Sequence, residues 1–348
     1  MNKDILKIMF FLIILILSSS SWADRCVENR AAIDIGSGTT KLKVAQVDVC
    51  KQKIIKYLYQ EEKAVAYKAH LLTSVNKSIS QEFAQKGLMV LKALKQNAKK
   101  YKPIKFRAAA TSVFRTAKNS RVIINNFREQ LRIDIHVISQ EREGRLGFYG
   151  AAARVKDNIE DIVVWDIGGG SMQFSFINKK GAQKNKQDLA IHNSKSIRQG
   201  KVQVKGYKIA SESFKKILIQ SKGLDIRAHS TPNPLDSKAL VVGKKVALNM
   251  KKSFLSYDNY KNKKFYGIGG LHYYSIKGQV KKAKYTSKDI AQVLQKKWGL
   301  TDKNIGGDYA PLQVSNLVLV YSVMNSFKIS SVEAIKVNLA DGLLVEND

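Results

Sequence analysis

Two stretches of this chain share a pattern that few folds can use twice. Residues 31–47 read AAIDIGSGTTKLKVAQV and residues 163–177 read VVWDIGGGSMQFSFI. Each is an apolar run ending in Asp-Ile-Gly, then a turn of small residues, then a second run of alternating polarity, which is the signature of strand, tight turn and strand. Asp34 and Asp166 stand 132 residues apart. That spacing is too long for a stacked repeat and suits a duplicated domain.

An Asp-led glycine turn has a definite chemical use. Glycine lets backbone N–H groups approach phosphate oxygens, and the carboxylate at the strand end can hold a metal ion or a water. The candidate phosphate-binding residues are Gly36, Ser37, Gly38 and Thr39 in the first turn, and Gly168, Gly169, Gly170 and Ser171 in the second. Asp34 and Asp166 are the candidate metal ligands. One such turn is weak support against a plain hairpin, but two at domain spacing describe the facing walls of a cleft.

Strands and helices alternate between the copies. Ser80 can cap a helix whose apolar stripe holds Phe83, Leu88, Leu91, Leu94 and Ala98, with lysines at its end and Pro103 as its stop. Residues 104–110 and 133–138 read as strands, and Asn119 can cap a helix running to Leu131. The second half repeats this less clearly, with helices near 213–220, 287–298 and 311–327 and a strand near 332–337. The expectation is an α/β protein of two domains, residues 24–150 and 151–348, with a C-terminal helix free to return to the first.

Two further segments carry candidate site residues. ATSVFRTAKN, residues 110–119, places Arg115 after a strand end, where a planar guanidinium suits bidentate phosphate contact. VISQEREGRLGFYGA, residues 137–151, opens a helix directly after a strand and carries Glu143 in its first turn. A surface arginine and a dipole-stabilising glutamate are the plainer readings of these two positions.

The charge points to the kind of partner. There are 60 Lys and Arg against 28 Asp and Glu, a formal net charge of +32. Such a field favours a polyanion through counterion release, although charge alone does not choose among nucleic acid, anionic lipid and polyphosphate, and it also keeps a protein soluble. Residues 178–208 carry nine Lys and Arg with few apolar anchors and read as a basic surface insertion.

The amino terminus reads as a targeting segment. Lys3 and Lys7 precede an apolar run from Ile8 to Leu17, and Ser21 and Ala23 are small residues at cleavage-site spacing. A signal peptide over residues 1–23, cleaved after Ala23, is expected, leaving no transmembrane span and a periplasmic or secreted protein. Cys26 and Cys50 are the two cysteines, and the midpoint between them is residue 38, inside the first turn. A hairpin folded there sets them opposite each other, so a Cys26–Cys50 disulfide is expected in an oxidising compartment.

Taken in order, AIDIGSGTT, ATSVFRTAKN, ISQEREGRL and DIGGGSMQ resemble the four motifs of the exopolyphosphatase and guanosine pentaphosphate phosphatase (Ppx/GppA) family, within the actin-like ATPase (ASKHA) superfamily. The likeness covers most of residues 30–175. It implies two actin-like (ribonuclease H-like) domains with a cleft between them, Mg²⁺ or Mn²⁺ as cofactor, Glu143 as the base that activates water, Asp166 as its assistant and a metal ligand, and Arg115 as a phosphate contact. YGIGGLHY, residues 266–273, resembles the third glycine turn of that family. The chain departs from the pattern at Gly38, Gln140, Arg142 and Gln173, the last two replacing carboxylates, and its C-terminal ADGLLVEND lacks the family's arginine.

The function expected is hydrolysis of terminal phosphoanhydride bonds of inorganic polyphosphate, releasing orthophosphate. Two alternatives stand beside it: a non-catalytic binder of polyphosphate or another polyanion, and a hydrolase of short nucleotide phosphoanhydrides. No specific nucleic acid partner is expected, and a homodimer is left open.

Overall fold

The computed structural model describes residues 26–177, 202–254 and 257–347. Residues 1–25, which hold the expected signal peptide, and residues 178–201, which hold most of the basic insertion, lie outside the described residues.

The duplication is visible in the strand order. β1 (Val27–Ile35), β2 (Thr39–Asp48), β3 (Lys53–Ala64), β4 (Lys105–Ala110) and β5 (Asp134–Val137) form one sheet in the order β3-β2-β1-β4-β5. β6 (Ile162–Ile167), β7 (Met172–Ile177), β8 (Val202–Tyr207), β9 (Lys264–Ile268), β10 (Lys284–Tyr285) and β11 (Val332–Ala334) form the other, in the order β10-β11-β9-β6-β7-β8. In each sheet a three-stranded antiparallel meander joins two parallel strands: β1-β2-β3 with β4 and β5, and β6-β7-β8 with β9 and β11. Val202–Tyr207 is therefore a sheet strand, which corrects the reading of residues 178–208 as one surface insertion.

Among the described residues the helices of seven residues or more are α1 (Tyr67–Thr73), α2 (Gln81–Lys99), α3 (Ser120–Leu131), α4 (Gln140–Ala152), α5 (Ser211–Ser221), α6 (Lys238–Lys251), α7 (Ser287–Lys297), α8 (Ala310–Phe327) and α9 (Leu339–Val345). Ser80 caps α2 by accepting from Phe83 N, as its sequence suggested. Asn119 precedes α3 but does not cap it. Its amide instead clamps Ile79, accepting from the N–H and donating to the carbonyl.

α2 and α3 bury Leu88, Leu91, Leu94, Ile123 and Phe127 against one face of the first sheet. α8, apolar nearly all round, is buried with Phe214 of α5 and Leu294 of α7 against the second sheet. α4 runs between the two sheets: its Leu146 joins a core with Ala32, Ala109 and Leu344 of α9, while Phe148 and Ala151 join one with Val164 and Ile268. The helix that begins with the candidate base is thus gripped from both sides.

Cys26 and Cys50 form a disulfide with a Cα–Cα distance of 5.4 Å. The β1–β2 register pairs Val27 with Asp48, so the hairpin is centred between residues 37 and 38, and the cysteines sit one position out of direct opposition. Among the described residues, no helix is long and apolar enough to cross a membrane.

Candidate functional site

The two Asp-led turns lie on opposite walls of one cleft of about 730 Å³. Their hydrogen bonding matches: Gly36 N donates to Thr39 O and Gly168 N donates to Ser171 O, each at 3.0 Å. The flanking helices buttress them alike, Lys68 N donating to Ser37 O at 2.8 Å and Glu212 N to Gly169 O at 3.0 Å. The turns also meet. A Cβ on Gly170 would lie 2.5 Å from Ser112 Oγ and 3.4 Å from Ser37 Oγ, so a larger residue there would force the walls apart.

Asp34, Glu143 and Asp166 all line this cleft. β1 delivers Asp34 at its end, and β6 delivers Asp166 at the matching position. Glu143 comes from the first turn of α4, whose cap is Ser139 accepting from Arg142 N at 3.1 Å. Arg115 lies 2.8 Å from Glu143 Oε2. Its guanidinium also donates to Ile138 O at 3.0 Å and to Ser171 Oγ at 3.3 Å. It therefore ties the base-bearing helix to the second turn, and its hydrogen bonds are largely committed to the protein.

Burial dominates the electrostatics. It pushes Glu143 up to about 7 against the opposing pull of Arg115. It pushes Asp166 up to about 8, with repulsion from Glu143 adding to the effect. Asp34 is also raised by burial, partly offset by Lys41, whose Nζ lies 3.6 Å from Asp34 Oδ2. Burial would lower Lys41, yet the carboxylates of Asp34, Glu62 and Asp166 outweigh it and hold the ammonium charged.

The corresponding positions in the two sheets carry different charge. Asp34 faces Lys41, which faces Glu62 across β1, β2 and β3. Asp166 faces Gln173, which faces Gly206 across β6, β7 and β8. Gln173 is fully buried, donating to Ser171 Oγ at 3.1 Å while its Oε1 has no hydrogen-bond partner. Among the described residues Asp166 thus has no ion pair of its own, and Lys41 acts on it only from the neighbouring Asp34.

Among the described residues the cleft is lined by five carboxylates, of Asp34, Glu62, Glu143, Asp166 and Glu212, and by two lysines, Lys41 and Lys68. An anionic substrate entering such a lining requires added positive charge. The donor set is oxygen only, which suits Mg²⁺ or Mn²⁺ rather than a thiolate-seeking metal. Among the described residues these carboxylates do not form a cluster with all oxygens within 4.8 Å of one another. That fits an ion held by one or two carboxylates with water and substrate phosphate completing its shell.

Sequence reasoning did not find Lys41, Glu62, Lys68 or Glu212. Lys41 was within reach, since a hairpin centred between residues 37 and 38 sets it opposite Asp34. Lys68 and Glu212 enter through chain returns far from the turns, and no local pattern marks them. The third glycine turn does reach the site. Gly269 has φ +81°, donates its N–H to Val337 O at 3.1 Å, and sits where a Cβ would come within 2.6 Å of Asp166 Oδ1.

Comparison with known proteins bears on the fold and the family. A bifunctional 3-dehydroquinate synthase/phosphatase of Fusobacterium nucleatum is 29% identical over 160 residues, 44% of this chain and 24% of that protein. The match thus spans about a quarter of that relative's length. The Ppx/GppA family member of Aquifex aeolicus superposes with a TM-score of 0.68 at 16% identity, covering 92% of this chain and 97% of that one. An exopolyphosphatase from Cytophaga hutchinsonii gives a TM-score of 0.68 at 17% identity, covering 91% and 96%. These two share the α/β fold of paired actin-like halves. The profile of the Ppx/GppA phosphatase family matches residues 32–221, more than half of the sequence, and the chain belongs to that family.

Proposed function

We propose that the protein is an exported hydrolase that removes orthophosphate from the ends of inorganic polyphosphate. The observation that carries this reading is the placement of buried Glu143 and half-buried Asp166 in one cleft between two matching phosphate-type turns. The two halves act as separate domains, residues 24–150 and 151–348, with α9 returning to the first.

Glu143 is the general base. Burial holds its carboxyl at about 7, where an acid is half ionised near neutral pH and accepts a proton from water effectively. Arg115 fixes its orientation and keeps enough of it ionised. The backbone N–H groups of Ser37 to Thr39 and of Gly169 to Ser171 face the terminal phosphate and take up charge as water attacks phosphorus in line with the departing oxygen, while those of Gly36 and Gly168 close the turns. Asp166, with Asp34 on the opposite wall, would hold Mg²⁺ or Mn²⁺, which when bound neutralises phosphate charge and steadies the leaving oxygen.

Cys26–Cys50 supports an oxidising destination, as does the amino-terminal pattern of charge, apolar run and small residues. Guanosine pentaphosphate suits such a destination poorly, because it is a cytoplasmic nucleotide. The test is to incubate residues 24–348 with long-chain polyphosphate and Mg²⁺ and follow chain length by electrophoresis. End-directed release leaves long chains beside free orthophosphate. A ladder of mid-length fragments would replace this reading with internal cleavage.

A further inference from the structure

Among the described residues, Lys41 and Lys68 line the cleft with Arg115 beside it, and Lys41 and Arg115 are already committed. Lys41 lies between Asp34 and Glu62. Arg115 is held by Glu143, Ile138 O and Ser171 Oγ. Lys68 is different. It lines the cleft, and among the described residues its ammonium has no carboxylate within ion-pair distance.

Its position is set by the fold. The backbone N–H of Lys68 donates to Ser37 O of the first turn, as that of Glu212 donates to Gly169 O of the second, so the two residues are counterparts on facing walls. Burial and the neighbouring Lys216 of α5 both depress Lys68, while Glu212 opposes them. Glu212 is itself taken by Lys215 at 2.8 Å. A half-buried ammonium beside a second lysine, with its nearest acid engaged elsewhere, is a place that an anion stabilises.

We infer that Lys68 forms a second phosphate subsite, gripping the phosphate next in line behind the one held between the glycine turns, and so sets a preference for chains of three or more phosphates. This rests on the hydrolase reading for its biological meaning, but the subsite itself is a matter of binding. Loss of one charge-assisted contact of this kind weakens binding by about tenfold or more. The effect grows only when a ligand is long enough to reach Lys68.

The test uses calorimetric titration of orthophosphate, pyrophosphate and tripolyphosphate with Mg²⁺ into the Glu143→Gln protein, so that nothing is consumed. Lys68→Met is added to that background, with Lys68→Arg as the conservative variant and the exposed Lys100→Met as a control. The expected result is that Lys68→Met weakens tripolyphosphate at least about tenfold and orthophosphate less than about twofold, while Lys68→Arg retains most of the affinity. Equal weakening of both ligands, no change in either, or no tripolyphosphate binding in the Lys68 protein overturns the subsite. The hydrolase reading fails separately. If the protein with Glu143 intact releases no orthophosphate yet binds tripolyphosphate through Lys68, the subsite stands and hydrolysis falls.

Discussion

Lys43 and Asp341, 298 residues apart in the chain, form a buried ion pair at 2.6 Å. The same carboxylate accepts from Tyr57 OH at 2.6 Å and from Asn338 N at 2.7 Å. Lys43 lies two positions from Lys41 on the same face of β2, so one strand sends one lysine to the cleft carboxylate Asp34 and the next to α9. The carbonyl of Val337, at the entrance to α9, accepts from Gly269 beside Asp166. The C-terminal helix is thereby fastened to both halves of the cleft.

Removing one member of that pair leaves the other charge buried without a partner. Asp341→Asn or Lys43→Met is expected to cost about 3–5 kcal/mol, and the double change Lys43→Met with Asp341→Leu less than either single loss. Urea unfolding of the three variants measures this. Equal stability of the single variants and the parent would show that the pair is not buried as described.

The disulfide closes a loop of sequence separation 24. Replacing both cysteines by serine is expected to lower stability by about 3 kcal/mol through the freer unfolded chain. Thiol titration of the denatured, unreduced protein should find none free, and two free thiols would contradict the bridge.

Asp166 makes stability depend on pH in a definite direction. Its carboxyl is raised from 3.8 to about 8 in the fold, so the stability it contributes is full below about 4 and is lost as pH rises through about 8. With divalent cations removed, the stability of the parent relative to Asp166→Asn should fall across that window, and Mg²⁺ or Mn²⁺ should flatten the fall. Thermal unfolding at stepped pH reads the difference, and parallel curves for the two proteins would contradict it.

Gly269 is the fourth test. At φ +81° an alanine costs about 1–2 kcal/mol of backbone energy, and its methyl group must also displace Asp166. Gly269→Ala is expected to lose stability by that amount and to weaken Mn²⁺ binding, followed by electron paramagnetic resonance. Undiminished Mn²⁺ affinity would separate Asp166 from the metal.

Much of this site was legible in the sequence because its parts are local. Asp34 with Gly36–Thr39 and Asp166 with Gly168–Ser171 are written as continuous runs, and the alternation around them fixes which wall each lines. Glu143 and Arg115 each follow a strand end, although their 2.8 Å contact was not expected. The strand β3 was not expected, since its run KYLYQEEKA mixes exposed charged residues with half-buried Tyr57, Leu58 and Tyr59 and shows no clean alternation until β2 supplies its partner. α6 was equally hidden, its lysines interrupting an apolar face that shows only against α8. Lys68 and Asp341 matter through contacts made by chain returns, which no window of sequence contains.

The central claim is that Glu143 activates water in this cleft. Its most direct test is orthophosphate release from long-chain polyphosphate with Mg²⁺ by the protein over residues 24–348 and by its Glu143→Gln variant, which keeps the shape of the side chain and removes its basicity. Steady release by the parent is expected, with a loss of about 10³-fold in kcat for the variant and tripolyphosphate binding preserved. Equal rates for the two proteins would contradict it.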